Sequence, residues 1–326
     1  MSMEKLVEVR NLKAYYKTRS GEVKAVDGVS FYIRPKEIFG IAGESGCGKS
    51  TLALAMLRLL KPPGYIAGGQ VIFQGKDLLK LKAEELRSLR WKYISYIPQS
   101  SMNALNPVKR IRDQIADVIK THEGEIPDEE IDKRIEELFT STGLSPAVAK
   151  MYPHELSGGM RQRVIIAMSA ILNPRLIVAD EPTTALDVVV QRGILQLLLD
   201  IRNKIGSSIM LITHDMAVQA EVVDRLAVMY AGKIVEIGDV DHVFKEPLHP
   251  YTSALIGAIP SIREKRRLKG LKGLPPDLRR PPPGCRFHPR CPHAKEICKK
   301  VEPPLVEVGR GRVVACHLYV EEEVRA

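Results

Sequence analysis

With 326 residues, 44% of them hydrophobic and 27% charged, the chain has the makeup of a globular protein of one large domain or two, with ample core. No apolar run approaches the about 18 residues that a membrane-spanning helix needs, and Met1-Ser2-Met3-Glu4-Lys5-Leu6 lacks the build of a secretory leader, so a cytoplasmic protein is expected. Of the formal charge of +10, residues 261–326 carry +8, from 16 Lys and Arg against 8 Asp and Glu; this basic tail reads first as a solvated surface near other subunits, with nucleic acid or an anionic membrane as alternatives.

In chain order, Leu6-Val7-Glu8-Val9 and the run over residues 25–33 have the apolar or alternating pattern of strands in a mostly antiparallel sheet. Between them stand Tyr15 and Tyr16, suited to stacking on a nucleotide base, with an ordinary half-buried tyrosine the equal alternative. The apolar run Ile38-Phe39-Gly40-Ile41-Ala42 leads into Gly43-Glu44-Ser45-Gly46-Cys47-Gly48-Lys49-Ser50, which fits G-x-x-x-x-G-K-[ST]. The glycines let successive backbone N–H groups face one anion, Lys49 adds charge, and the Ser50 hydroxyl can ligate Mg²⁺. Thr51 opens a helix reaching Arg58, whose positive end faces the same anion. Cys47, a small thiol inside the loop, reads as a filler and not as a nucleophile.

Pro62-Pro63-Gly64 ends that helix, and residues 68–75 read as a strand closed by a turn. A helical pattern over 78–89 precedes the strand Tyr93-Ile94-Ser95-Tyr96-Ile97, stopped by Pro98, so Gln99 starts a loop. Helical spacing recurs at Ile111, Ile115, Val118 and Ile119 and again at Ile131, Ile135, Leu138 and Phe139, interrupted by Gly124 and Pro127, which predicts a helical insertion. Leu156-Ser157-Gly158-Gly159-Met160 opens an apolar helix predicted from Arg163 to Leu172, and its serine and glycines suggest a second anion site. Leu176-Ile177-Val178-Ala179-Asp180-Glu181 is an apolar run ending in two carboxylates, the pattern of a buried parallel strand with acids at its ligand-binding edge; a helix-capping pair is the bland alternative. A strand over 208–213 ends at His214, and a hairpin turns at Ala231-Gly232. Alternating strands and helices around a phosphate loop predict an α/β nucleotide-binding core.

Together the phosphate loop, Gln99, Leu156-Ser157-Gly158-Gly159, Asp180-Glu181, Ala185-Leu186-Asp187 and His214 resemble an ATP-binding-cassette ATPase, with all six elements in that family's order. Ser157-Gly158-Gly159-Met160-Arg161-Gln162-Arg163-Val164, Asp180-Glu181-Pro182-Thr183-Thr184-Ala185-Leu186-Asp187 and His249-Pro250-Tyr251-Thr252-Ser253-Ala254-Leu255, followed by the proline- and cysteine-rich end, are similar to the ATPase subunits of oligopeptide and dipeptide importers. The resemblance implies a P-loop NTPase core with an N-terminal antiparallel β subdomain and a helical subdomain at about 100–172. It divides the chain into an ATPase domain over 1–260 and a loop-rich cysteine segment over 261–326.

The resemblance also implies roles. Lys49 and the amides of residues 43–51 would hold the β- and γ-phosphates of ATP, while Ser50, Asp180 and Gln99 would serve Mg²⁺. Glu181 would activate the attacking water, His214 would touch the γ-phosphate, and Tyr16 would stack on adenine. Ser157-Gly158-Gly159 would close over ATP bound by a second ATPase subunit, identical or different, so that ATP joins the dimer and hydrolysis releases it. Two membrane-spanning permease subunits and an external substrate-binding protein complete the implied assembly, on the cytoplasmic face of the membrane. Peptide is the implied cargo, with oligosaccharide and nickel as alternatives. A soluble cassette ATPase acting on nucleic acid fits less well, because the stretch between Gln99 and Leu156 is too short for a coiled-coil arm and the tail lacks interleaved aromatic residues.

Four of the five cysteines, Cys285, Cys291, Cys298 and Cys316, crowd into the last 42 residues. Their spacing is not the paired C-x₂-C of common zinc modules, and by spacing alone a [4Fe–4S] cluster and zinc stand about level, with His288, His293 and His317 able to substitute in a zinc site. The resemblance to importer ATPases implies the [4Fe–4S] cluster.

Overall fold

A strand with no polar alternation must be covered on both faces. Among the described residues four strands meet that condition: β3 (Ile38–Ala42), β7 (Leu176–Asp180), β8 (Ser208–Ile212) and β9 (Arg225–Tyr230) are buried at every residue. The computed structural model describes residues 5–99, 101, 104–184, 186–259, 273–309 and 311–320, and the chain divides into two compact units.

One unit comprises Lys5–Ile33, Phe39–Lys80 and Thr213–Ala326. Its first sheet is antiparallel, with β1 (Val7–Thr18) between β2 (Gly21–Ile33) and β4 (Gly64–Phe73), and β5 (Lys76–Asp77) beyond β4. Tyr15 and Tyr16 therefore lie inside β1 and not between strands; register shifts at Leu12, Lys13 and Tyr16 break the two-residue alternation that would have shown the strand's length. In the second sheet β3 runs parallel to β9, with Phe39 opposite Arg225, and β9 turns at Ala231-Gly232 into antiparallel β10 (Lys233–Asp239). The last segment adds a small hairpin to β10, made of β11 (Val306–Glu307) and β12 (Val313–Val314), with Glu236 opposite Val314. Helix α1 (Lys49–Met56) packs on β1, β2 and β4; α7 (Met216–Val222), α8 (Val240–Lys245) and α9 (Pro250–Gly257) complete the unit.

The other unit comprises Arg34–Ile38 and Leu81–Ile212. Its strands are parallel: β6 (Ile94–Ile97) pairs with β7, and β7 with β8, in the registers Ile94 to Leu176 and Leu176 to Ser208. Helix α2 (Ala83–Leu89) precedes β6, and the expected helical insertion is present as α3 (Ile111–Glu123) and α4 (Asp128–Ser141), broken at Gly124 and Pro127. Helix α5 (Gly158–Ala170) starts at Gly158, five residues before the predicted start, because Ser157 is its N-cap and accepts from Met160 N–H at 3.3 Å. Helix α6 (Val188–Ile205), absent from the sequence reading, is capped by Asp187, whose carboxylate accepts from Val189 N–H at 3.0 Å and Val190 N–H at 2.9 Å, and ends at left-handed Gly206. Asp180 and Glu181 thus cap no helix; that part falls to Asp187.

Candidate nucleotide site

The phosphate loop lies between β3 and α1. Lys49 is buried and its Nζ donates to the carbonyls of Gly43 at 2.8 Å and Glu44 at 3.0 Å, which holds the ammonium inside the loop. Gly43 is required by its surroundings: its φ is +151°, and a Cβ there would stand 2.1 Å from the Met229 carbonyl oxygen in β9. Gly46 also has positive φ, +77°, but a Cβ there would meet nothing within 4 Å, so the open side of the loop is at Ser45-Gly46, both exposed. Cys47 is buried, and burial pushes its thiol above the ordinary range against the opposing pull of Lys49, which leaves it a neutral filler. Ser50 and Thr51 occupy the first turn of α1.

The hydroxyls of Tyr16 and Thr51 are 3.1 Å apart and share a hydrogen bond, so Tyr16 stands at the start of α1. Tyr15 is committed elsewhere: its hydroxyl donates to Asp27 at 2.6 Å and its ring meets Tyr65 edge-on. This geometry separates two adjacent tyrosines that sequence alone could not. His214 follows Thr213 and is exposed.

In the other unit, the strand ends gather the acids. Asp180, the last residue of β7, is buried and accepts from the Tyr96 hydroxyl at 3.3 Å; burial, then the Asp180 charge, pushes the Tyr96 phenol well above its ordinary range. Glu181 leaves the strand with left-handed φ of +50°, while its N–H still donates to Ile212 O at 2.8 Å. A glutamate held in that conformation is under backbone strain of the kind that collects at functional sites. Gln99 Nε2 donates to Glu181 Oε2 at 3.0 Å, and Thr184 Oγ1 donates to the same oxygen at 2.9 Å. Gln99 and Glu181, distant in sequence, are thereby brought together. Thr184 was not singled out by sequence reasoning, although its place three residues after Glu181 was the available signal. Ser157 and Gly158 are exposed at the start of α5. Ala185 lies outside the described residues; Leu186 and Asp187 lead into α6.

Cys285, Cys291, Cys298 and Cys316 line one small pocket together with His288, His293 and His317, with only about 10 Å³ of free space between them. Burial raises the thiols of Cys291 and Cys316, and pushes that of Cys285 up to about 11. Lys295 N–H points at Cys298 Sγ at 3.4 Å. Among the described residues no three His, Cys, Asp or Glu side chains are grouped to hold a metal ion, the four cysteines included. No helix among the described residues is long and apolar enough to cross a membrane.

Residues 26–184 match the ABC transporter family, and residues 235–298 match the oligopeptide/dipeptide transporter C-terminal region. The chain is 42% identical over 321 residues, 98% of each chain, to a dipeptide transport ATP-binding protein of Caldanaerobacter subterraneus subsp. tengcongensis. It is 45% identical to an oligopeptide transport ATP-binding protein of Bacillus subtilis, over 94% of this chain and 86% of that one. A dimeric ATP-binding cassette solved in a post-hydrolysis state with ADP and Pi superposes with a TM-score of 0.64 at 29% identity, covering 72% of this chain and 98% of the other. With the phosphate loop, the strand-end acids and nearly full-length similarity agreeing, the chain belongs to the ABC transporter family, among the ATP-binding proteins of oligopeptide and dipeptide transport.

Proposed function

We propose that this ATPase powers a dipeptide or oligopeptide importer, bound peripherally at the cytoplasmic face of the membrane to two permease subunits and paired with a second ATPase subunit. An external substrate-binding protein delivers the cargo. The observation that carries the chemistry is the fixed carboxylate of Glu181, whose Oε2 accepts from Gln99 and Thr184 at the end of β7. Peptide as cargo is favoured over oligosaccharide or nickel by the match of residues 235–298 to the oligopeptide/dipeptide transporter C-terminal region.

In this reading the loop amides and Lys49 hold the ATP phosphates, Tyr16 stacks on the base, and His214 contacts the γ-phosphate. Ser50, Asp180 and Gln99 are assigned to Mg²⁺; when bound, the ion would offset phosphate charge. Glu181 orients the attacking water and takes its proton, the general-base part. Gln99, bonded to that base, reports the nucleotide state to the permeases. The exposed N-terminus of α5 at Ser157-Gly158-Gly159 closes over the partner subunit's ATP, so binding closes the dimer and hydrolysis reopens it. Proteoliposomes holding the assembled complex test the cargo: ATP-dependent uptake of labelled di- or oligopeptide is expected. Uptake of oligosaccharide or nickel with none of peptide refutes it.

We further propose that the four cysteines hold a [4Fe–4S] cluster. The reading is supported by four thiols around one pocket and an N–H aimed at one sulfur. Protein purified anaerobically should be brown with about four irons per chain, and Cys298→Ser should lose the colour. Stoichiometric zinc in a colourless preparation from iron-replete cells contradicts it.

A further inference from the structure

The phosphate loop carries an acidic side chain at its second position, a liability for a loop that collects a triphosphate. Glu44 does not face that role alone. Arg290 Nη1 donates to Glu44 Oε2 at 2.7 Å and Nη2 to Oε1 at 2.9 Å, a two-pronged contact that fixes orientation as well as charge. The Arg290 side chain is 5% exposed, and its guanidinium lies 5.7 Å from the centre of the Tyr230 ring. The Glu44 main chain is held from the same side, because its N–H donates to the Tyr251 hydroxyl at 2.8 Å. Tyr230, Tyr251 and Phe287 close the arrangement with ring centres 4.6, 5.2 and 5.4 Å apart. Phe287 and Arg290 lie between Cys285 and Cys291, inside the cysteine-rich segment.

We propose that Arg290 is a positioning residue for nucleotide binding, neutralising and holding Glu44, and that the cysteine-rich segment is thereby a working part of the phosphate loop. The proposal rests on the reading that this loop binds ATP phosphates. A freed Glu44 carboxylate, only part-buried and next to the exposed Ser45-Gly46, would still repel an incoming polyphosphate held by the same loop. The effect should fall on binding and leave the chemistry at Glu181 alone.

The test is titration of the full-length chain with a fluorescent ATP analogue, together with steady-state hydrolysis in the assembled complex. Arg290→Gln is expected to raise the analogue's Kd about tenfold and the KM for ATP similarly, with kcat within about twofold. Adding Glu44→Gln to Arg290→Gln should restore Kd to within about threefold of the parent, since no unpaired charge remains. Arg290→Lys, which keeps charge and loses the fork, should fall between. Parent-like binding by Arg290→Gln overturns the proposal. So does a double variant as weak as Arg290→Gln, because loss of packing would not be rescued by neutralising Glu44. A parent chain that fails to bind the analogue refutes instead the ATP reading beneath it.

Discussion

Gly43 and Gly46 share a loop and a positive φ, yet replacing each by alanine should have different consequences. At Gly43 the new Cβ would stand 2.1 Å from Met229 O and 2.8 Å from Cys47 Sγ. Met229 sits in β9, paired on one side with β10, so its carbonyl cannot easily retreat. A side chain in left-handed backbone costs about 1–2 kcal/mol, and forced displacement of packed neighbours about 1–3 kcal/mol more. Gly43→Ala should therefore lose about 3 kcal/mol. Gly46→Ala meets no neighbour within 4 Å and should lose only the backbone part, about 1 kcal/mol. Urea unfolding followed by circular dichroism, with midpoints compared at a common slope, reads the difference of about 2 kcal/mol. Titration with the ATP analogue supplies the second axis: Gly46→Ala, near normal in stability, should still bind weakly, because its methyl occupies the open side from which phosphates approach. Equal stability of the two variants would refute the packing argument. Normal binding by Gly46→Ala would refute the assignment of the open side to phosphate.

Two further perturbations test other parts of the account. Glu236 is fully buried and accepts from Leu248 N–H at 2.9 Å, His249 N–H at 2.8 Å and Arg312 Nη2 at 3.1 Å; Arg312→Met should cost about 3–5 kcal/mol by stranding that carboxylate, and pairing it with Glu236→Gln should recover much of the loss in urea midpoints. His249 is buried and its Nδ1 accepts from Tyr251 N–H at 3.0 Å, and burial lowers its pKa to about 3. The folded state keeps this imidazole neutral while the unfolded chain protonates it below about pH 6.5, so its contribution is present above that pH and lost toward pH 3 at up to about 1.4 kcal/mol per pH unit. His249→Asn should flatten the stability change between pH 7 and pH 5.

Local chemistry was legible in the sequence, and long-range consequences were not. The phosphate loop, the strand ending in Asp180-Glu181 and the paired helices at 111–123 and 128–141 announce themselves within a dozen residues each, through glycine placement and apolar period. Helix α6 escaped because Val188, Val189 and Val190, β-branched and two of them almost fully exposed, mask its start; Asp187 and Gly206 were its true signals. Strand β1 escaped in part because its register shifts destroy the alternation. The two-residue strands β11 and β12 are too short to carry a period at all. Tyr15 and Tyr16 could be told apart only by partners far along the chain, Asp27 for one and Thr51 for the other. The contact of Arg290 with Glu44 joins residues 246 positions apart, and no local pattern encodes it.

The central claim is that Glu181 is the base of an ATPase that drives peptide import. It is tested most directly by Glu181→Gln in the complex reconstituted with its partner ATPase and permeases, measuring ATP binding, hydrolysis and peptide uptake on one preparation. Glutamine keeps an oxygen for Gln99 and Thr184 but cannot take a proton. Binding should persist, hydrolysis at this site should fall at least about a hundredfold, and uptake should fall with it. Undiminished hydrolysis and uptake by Glu181→Gln would contradict the account.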